Sequence, residues 1–578
     1  MSGRDQTLAK VVRTRAATRG DDLAYTFLVD GAKDARSITW AQLHRRAGAR
    51  AASLSALGAV GKPVLLMLPS GLEFVESLVA CWYAGAIPVP ISLPRHHRAK
   101  HRLHNLIADA GARFAIGSAD VRQRLQADDA VKAALVDITW IAAETPDELP
   151  DVDFNPRGDG QGIALLQYTS GSTGIPRGVV VTHANLMSNS ALIAEACGHG
   201  PDMNIGGWLP LFHDMGLIGM VAQAAYSGAR LVFMAPERFL MRPWSWLQMI
   251  SDYQLCSSPA PNFGYDLCVD KIDDQKKQTL DLSCWRNALN GSEPVRPATL
   301  ERFAAAFASC GFRPSAFFPC YGLAEATLFV TGPAAGHCRI VRNADGTPAA
   351  DGASQGHVGC GRPYGDTRLA IVDPQTRRGL PDGAIGEIWV AGSSCAKGYW
   401  NQPDATAATF HARLEPASDD STAWLRTGDL GMIVDGQLFI TGRLRELIII
   451  AGRNLFPVDL ERTAEGAHAA IASSGVAAFS ADIDNAERLI IAAEVRREYG
   501  ARGQATRADS LDVSTISRQV RAAVAAEHEV APHDVVLLQP GALPRTTSGK
   551  LNRGAARDAY LTNTLDRLEG RSHAHANV

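Results

Sequence analysis

Tyr168-Thr-Ser-Gly-Ser-Thr-Gly-Ile-Pro-Arg-Gly178 is the stretch from which the rest of the chain can be read. It sets three glycines and four hydroxyl residues into eleven positions, directly after Ile163-Ala-Leu-Leu-Gln167, an apolar run that reads as a buried strand. Glycines such as Gly171 and Gly174 let the backbone approach a bulky anion, and successive N–H groups can form a concave nest for phosphate oxygens. Thr169, Ser170, Ser172 and Thr173 add hydroxyl donors, and Arg177 adds positive charge. Such a loop suits a nucleotide triphosphate. It is not a Walker A loop, which needs Gly, four residues, then Gly-Lys-Ser/Thr; Pro176 stands where the second glycine is required. Taken alone, a flexible Gly/Ser loop of no special role would read the same way.

With 578 residues the chain is too long for one core and predicts two to four domains or subdomains. A net charge of −3 gives no electrostatic reason to expect nucleic acid or an anionic membrane as partner. The ten cysteines form no CxxC or CxxH pair, so neither a zinc site nor a disulfide framework is indicated, and the usage suits a reducing cytosol. No apolar run is long enough to span a bilayer, and the first residues carry no signal core. A cytoplasmic protein without an integral membrane segment is expected.

Working outward from the loop, the texture changes twice. Helical spacing over 39–58, a strand at Lys62–Leu68, a helix at Leu72–Tyr83 and a strand at Ala86–Ile91 alternate as in a parallel sheet with covering helices. The pattern recurs at Arg230–Met234. From about 365 short strands such as Thr367–Val372 and Gly386–Ala391 predict a small β-rich subdomain reaching 442. After a short boundary at 443–446 comes an α+β unit, 447–578, with a strand at Leu447–Ile450, a helix opening at Phe456-Pro457 and a hairpin of Gly475–Ser480 with Leu489–Val495. A helix at Val513–His528, a strand at Val535–Leu538 and a polar tail over about 564–578 complete it. The expected class is α/β: a large N-terminal domain, 1–442, then a small, mobile α+β domain.

Five further motifs follow the loop: Pro210-Leu-Phe-His-Asp-Met-Gly216, Asn290-Gly-Ser-Glu-Pro294, Tyr321-Gly-Leu-Ala-Glu-Ala-Thr327, Arg426-Thr-Gly-Asp-Leu430 with Gly442-Arg443, and Leu543-Pro-Arg-Thr-Thr-Ser-Gly-Lys550. In this order they resemble the adenylate-forming, acyl-activating enzyme superfamily over about residues 20–560. Its members use ATP and Mg²⁺ to turn a carboxylate into an acyl-adenylate, releasing pyrophosphate. Two anions must then be screened and aligned, which is why cationic and metal-binding groups are needed. The resemblance implies that Lys550 contacts the carboxylate and the α-phosphate, and that Glu325 holds Mg²⁺, a hard cation wanting oxygen ligands. Ala324 stands where relatives often have Thr, so Thr327 or Thr173 is expected to supply the missing hydroxyl. Asp429 would meet the ribose, and Arg443 the ribose or phosphate. Tyr321 with Gly322 would stack on adenine, with Asn290 and Gly291 lining the base pocket. His213 would gate or position the carboxylate, and Arg445 would be the pivot of the C-terminal domain. Arg177 takes the place of a family lysine, keeping charge but not geometry.

Within the superfamily, Pro210–Gly219, Tyr321–Val330 and Leu447–Pro457 resemble fatty acyl-AMP ligases, which pass the acyl group to a carrier protein. An extra segment at about Pro333–Gln355 sits where that branch carries an insertion thought to restrain domain rotation. Met215, Gly216, Leu217, Ile218 and Phe263 suit a pocket for an aliphatic chain, and suit plain core packing equally well. The partners implied are a fatty acid and a separate acyl carrier protein or megasynthase. A fatty acyl-CoA ligase is the alternative; an amino-acid adenylating enzyme and a catalytically silent nucleotide-binding protein are more distant ones.

Overall fold

A computed structural model describes residues 6–30, 34–93, 97–127, 129–144, 154–169, 177–334, 341–342, 356–416, 422–450, 453–483, 486–499, 512–546 and 549–568. Internal packing divides the chain into two compact units, Met1–Thr427 with Met432–Phe439, and Gly428–Gly431 with Ile440–Val578. The division runs through the neighbouring strands Leu425–Val434 and Gln437–Arg443, so one ribbon belongs to both units.

The first unit is α/β. Its larger sheet has seven strands in the order Phe317–Pro319, Asn287–Asn290, Ser257–Ala260, Asn204–Gly207, Arg230–Met234, Leu23–Leu28 and Ala35–Thr39. The first six run parallel and only the last pairing is antiparallel. A second, all-parallel sheet orders Ile87–Pro90, Pro63–Met67, Phe114–Gly117 and Thr139–Ala142. Ile163–Thr169 pairs antiparallel with Arg177–Thr182, with Thr169 opposite Arg177. The glycine-rich run therefore joins two strands of a ribbon, whereas a Walker A loop opens a helix.

Local chemistry explains the element boundaries. The helix Trp40–Ala56 starts on Thr39, whose hydroxyl accepts from Gln42 N–H while the Gln42 side chain accepts from Thr39 N–H. Thr182 and Asn185 repeat this reciprocal cap at the helix His183–Cys197, which ends on left-handed Gly198. The helix Leu72–Ala84 is buried on nearly every side, and its one deeply buried acid, Glu76, is met by Arg46 at 2.9 Å and Arg50 at 3.4 Å.

Short β-strands take over where expected, at Arg368–Val372 and Gly386–Ala391, which pair antiparallel. In the second unit Ile471–Ile483, Ala486–Val495 and Asp534–Leu538 form a three-stranded sheet, the last pair parallel across the helix Val513–His528. Alternate residues serve two cores. Val476, Ala478, Leu489 and Ile491 pack with Ile516, Val520 and Val524, while Ala477, Phe479, Ile490 and Ala492 pack with Leu543, Ala556 and Leu565. Among the described residues no helix is long and apolar enough to cross a membrane.

Candidate active site

Because the strands at 204–207, 257–260, 287–290 and 317–319 run parallel, the segments that follow them all emerge at one edge of the sheet. These segments carry His213, Phe263, Gly291 and Tyr321. Ligands of open α/β sheets bind at this carboxyl edge. A pocket of about 410 Å³ lies instead at the opposite ends of the same strands, where Asn204, Cys256 and Arg286 line it. It holds none of the residues singled out by sequence.

His213 precedes a single helical turn, Asp214–Gly216, that runs into the π-helical segment Leu217–Ala222. Its Nδ1 lies 2.6 Å from Asp214 Oδ1. The Met215 N–H donates to the same carboxylate oxygen at 2.7 Å and reaches His213 Nδ1 at 3.4 Å, so the ring is held at that edge. Gly216 is required here, since a Cβ would sit 2.2 Å from the Pro210 carbonyl oxygen. Gln167, in the strand before the glycine-rich run, donates to the Phe212 carbonyl at 2.9 Å and ties the two motifs together. Leu217 and Ile218 are fully buried and Met215 nearly so, while Phe263 is partly exposed, its ring 5.7 Å from that of Trp208. Tyr265, two residues after Phe263, is sealed in an aromatic cluster with its hydroxyl donated to the Leu289 carbonyl.

Asn290 is completely buried. Its Nδ2 donates to Asn262 Oδ1 at 3.1 Å, and its Oδ1 has no hydrogen-bond partner. Gly291 backs onto the Cys320 carbonyl, where a Cβ would come within 3.0 Å. Tyr321 is buried and register-paired with Thr331. After it Gly322 allows a turn so tight that a Cβ would lie 1.8 Å from the Leu328 carbonyl oxygen.

That turn presents Glu325 on the short 3₁₀ segment Ala324–Ala326. The Tyr399 hydroxyl donates to Glu325 Oε1 at 2.8 Å, and the Arg177 guanidinium stands 5.2 Å from the centre of the Tyr399 ring. Burial, then the Glu325 charge, push the Tyr399 phenol well above its ordinary pKa, so it stays a donor. Asn189, on the helix after the ribbon, buttresses the turn through the Ala326 and Phe329 backbones. Thr327 corrects the sequence reading. Its hydroxyl is fully buried and donated to the Ser394 carbonyl at 2.6 Å, so it supplies no ligand beside Glu325. Ser170, Gly171, Ser172, Thr173 and Gly174 lie outside the described residues, as does most of the 333–355 segment; Thr169 and Arg177 are placed by their strand pairing. A carboxylate held by a neutral donor whose ring also meets a guanidinium fits a magnesium–phosphate pair by donor chemistry.

The second unit holds the remaining residues. Asp429 is buried and accepts from Arg443 Nε at 2.9 Å, with the Arg443 side chain 60% exposed. Arg445 is exposed on the 3₁₀ turn Leu444–Glu446. Lys550 ends a tight loop in which Thr546 N–H donates to the Lys550 carbonyl at 2.7 Å and Lys550 N–H to the Thr546 hydroxyl at 3.1 Å. Left-handed Gly549 makes the turn possible. Three residues on, half-buried Arg553 grips both oxygens of Glu461 at 2.7 Å and also donates to Glu446, so one guanidinium joins the base of the lysine loop to the turn carrying Arg445. Sequence reading singled out neither Tyr399 nor Arg553. Each is an ordinary residue type whose partners lie 74 and 92 positions away.

An AMP-binding enzyme model matches residues 12–400, and a Disco-interacting protein 2-like AMP domain model matches 445–569. The chain is 38% identical to the medium-chain-fatty-acid–[acyl-carrier-protein] ligase JamA of Moorena producens, over 98% of this chain and 97% of JamA. It is equally 38% identical to the long-chain-fatty-acid–AMP ligase FadD32 of Mycolicibacterium smegmatis, over 95% and 93%. A fatty acyl-adenylate ligase from Legionella pneumophila, solved with acyl adenylate and pyrophosphate, superimposes with a TM-score of 0.72 at 35% identity, covering 97% of both chains. The chain belongs to the AMP-binding, adenylate-forming enzyme family, on the branch of its fatty acyl-AMP ligases.

Proposed function

We propose that the protein activates a fatty acid with ATP to an acyl-adenylate and pyrophosphate, then transfers the acyl group to the phosphopantetheine arm of a separate acyl carrier protein or megasynthase. The observation that carries this is the bracket of Arg177, Tyr399 and Glu325, in which one tyrosine at the exit of the glycine-rich run meets a cation with its ring and an acid with its hydroxyl. Similarity to JamA and FadD32 supports the acyl substrate, and the name of JamA supports the carrier.

In this reading Arg177 and the glycine-rich backbone hold the phosphates, while Tyr321 and the Asn290-Gly291 corner meet the adenine. Asp429 and Arg443 hold the ribose. His213, its ring held beside Asp214, orients the fatty carboxylate. Lys550 offsets the repulsion between carboxylate and α-phosphate, a charge effect strong in a site from which water is excluded. Magnesium bound by Glu325, with Thr173 as a second oxygen ligand, would neutralise the phosphates and the pyrophosphate leaving group. Arg445 is the pivot on which the second unit changes position between half-reactions. The scattered thiols, free among the described residues, support a reducing cytoplasm.

The test is incubation with ATP, Mg²⁺ and a ladder of fatty acids, offering coenzyme A or phosphopantetheinylated carrier protein. Acyl-AMP that persists with coenzyme A and is discharged by carrier is the expected result. Quantitative acyl-CoA formation would move the protein to the coenzyme A ligases.

A further inference from the structure

Tyr399 is placed with unusual completeness for a residue outside the recognised motifs. Its backbone pairs with Val179, and the segment around it is laced to the strand leaving the glycine-rich run: Lys397 N–H donates to Val180 O at 3.0 Å, Val180 N–H to Gly398 O at 2.9 Å, and Trp400 N–H to Gly178 O at 2.7 Å. On the other side Ala396 N–H donates to the Glu325 carbonyl at 2.8 Å. Gly398, at φ +145°, leaves no room for a side chain, since a Cβ would meet Thr406 at 2.4 Å. Tyr399 N–H then donates to the Thr406 hydroxyl, and the ring edge packs on Phe410 at 5.2 Å. The ring is held from several directions, with its hydroxyl aimed at Glu325 and one face toward Arg177.

We propose that Tyr399 is a positioning residue: its hydroxyl sets the Glu325 carboxylate for the metal, and its ring sets Arg177 for the phosphates, so that metal and nucleotide are recognised together. This rests on the reading of Glu325 as a metal ligand. Outer partners of ligating carboxylates orient them and tune their affinity. A tyrosine that also touches the phosphate-facing cation couples the two sites through one rigid plane. Removing the hydroxyl takes one restraint from the carboxylate, whereas removing the ring takes away the contact to Arg177 as well.

The full-length protein is titrated with Mn²⁺ in the presence of α,β-methylene-ATP, following free Mn²⁺ by electron paramagnetic resonance, in wild type, Glu325→Gln, Tyr399→Phe and Tyr399→Leu. Nucleotide binding in EDTA and the melting temperature are measured alongside. Tyr399→Phe is expected to weaken Mn²⁺ binding about tenfold. Its metal-free nucleotide affinity and melting temperature should stay at wild type, and its turnover should recover at saturating metal. Tyr399→Leu is expected to lose metal-free nucleotide affinity in addition. Unchanged Mn²⁺ binding in Tyr399→Phe, with binding weakened in Glu325→Gln, would overturn the positioning role alone. Unchanged binding in Glu325→Gln would overturn the metal-ligand reading beneath it. A large fall in the melting temperature of Tyr399→Phe would show the hydroxyl to be architectural and would also overturn the proposal.

Discussion

Lys550 concentrates the chemistry of one residue. A loop closed on itself by Thr546 holds its backbone, so Lys550→Ala removes a charge and leaves these backbone bonds in place. Adenylate formation, followed by pyrophosphate exchange, should fall by about 10²–10³-fold, with ATP binding largely retained. Near-normal exchange would remove Lys550 from the mechanism. A second residue-scale prediction concerns pH. His183 is buried with Nδ1 unpartnered, and desolvation lowers its pKa to about 4. The unfolded chain takes up that proton below about pH 6.5, the folded chain only near 4, so stability is whole above pH 6.5 and is lost as pH falls. The loss from this group is about 2 kcal/mol at pH 5. Denaturant unfolding should show His183→Gln losing less stability than wild type between pH 7 and 5; parallel curves would refute this. Lys550, Glu325, Asp429 and Arg177 stand out in the sequence because they sit in dense motifs. Tyr399 does not, because a tyrosine after a glycine beyond a strand reads as core, and its partners come from chain folding.

At the scale of elements, the turn carrying Glu325 depends on Gly322. A methyl group there would collide with the Leu328 carbonyl, backbone against backbone, so Gly322→Ala should cost about 2–3 kcal/mol or more. A melting temperature within about 1 °C of wild type would show that the turn can relax. In the second unit Arg553→Ala strands Glu461, whose side chain is 1% exposed, at a cost of about 3–5 kcal/mol. Adding Glu461→Gln should recover part of it, since the amide oxygen still accepts from Ala478 N–H; no recovery in denaturant unfolding would mean that charge is not the issue. Most elements were legible from period and caps: Arg230–Met234, Gly386–Ala391 and Val513–His528 fall where the sequence puts them. The strands Ser257–Ala260 and Asn287–Asn290 were not, because buried parallel strands normally read as apolar runs. Here two of their polar residues are satisfied sideways: Ser258 Oγ accepts from Trp246 Nε1 at 2.8 Å, and Asn287 Nδ2 donates to the Cys197 carbonyl at 2.9 Å.

For the whole molecule, the sequence placed the change of texture at 443–446, whereas packing draws the division through the ribbon at Gly428–Gly431 and Ile440. A strand shared by two units has one unbroken periodicity, so pattern reading cannot see where contacts change sides. If Arg445 is the pivot, Arg445→Pro, which fixes φ, should leave acyl-AMP formation near wild type while slowing discharge to the carrier about tenfold or more. Equal loss in both half-reactions would argue against a pivot.

Chain order adds a temporal consequence. Tyr399 and Glu325 belong to the first unit, and Lys550 is translated 151 residues after Tyr399. At ribosomal speeds of about 5–20 residues per second, the bracket is synthesised roughly 8–30 s before its lysine. During that interval a nascent chain able to fold its first unit has the groups proposed to hold the phosphates and the adenine but not the one proposed to drive turnover. Synthesis itself therefore separates the appearance of the binding groups from the onset of adenylate chemistry.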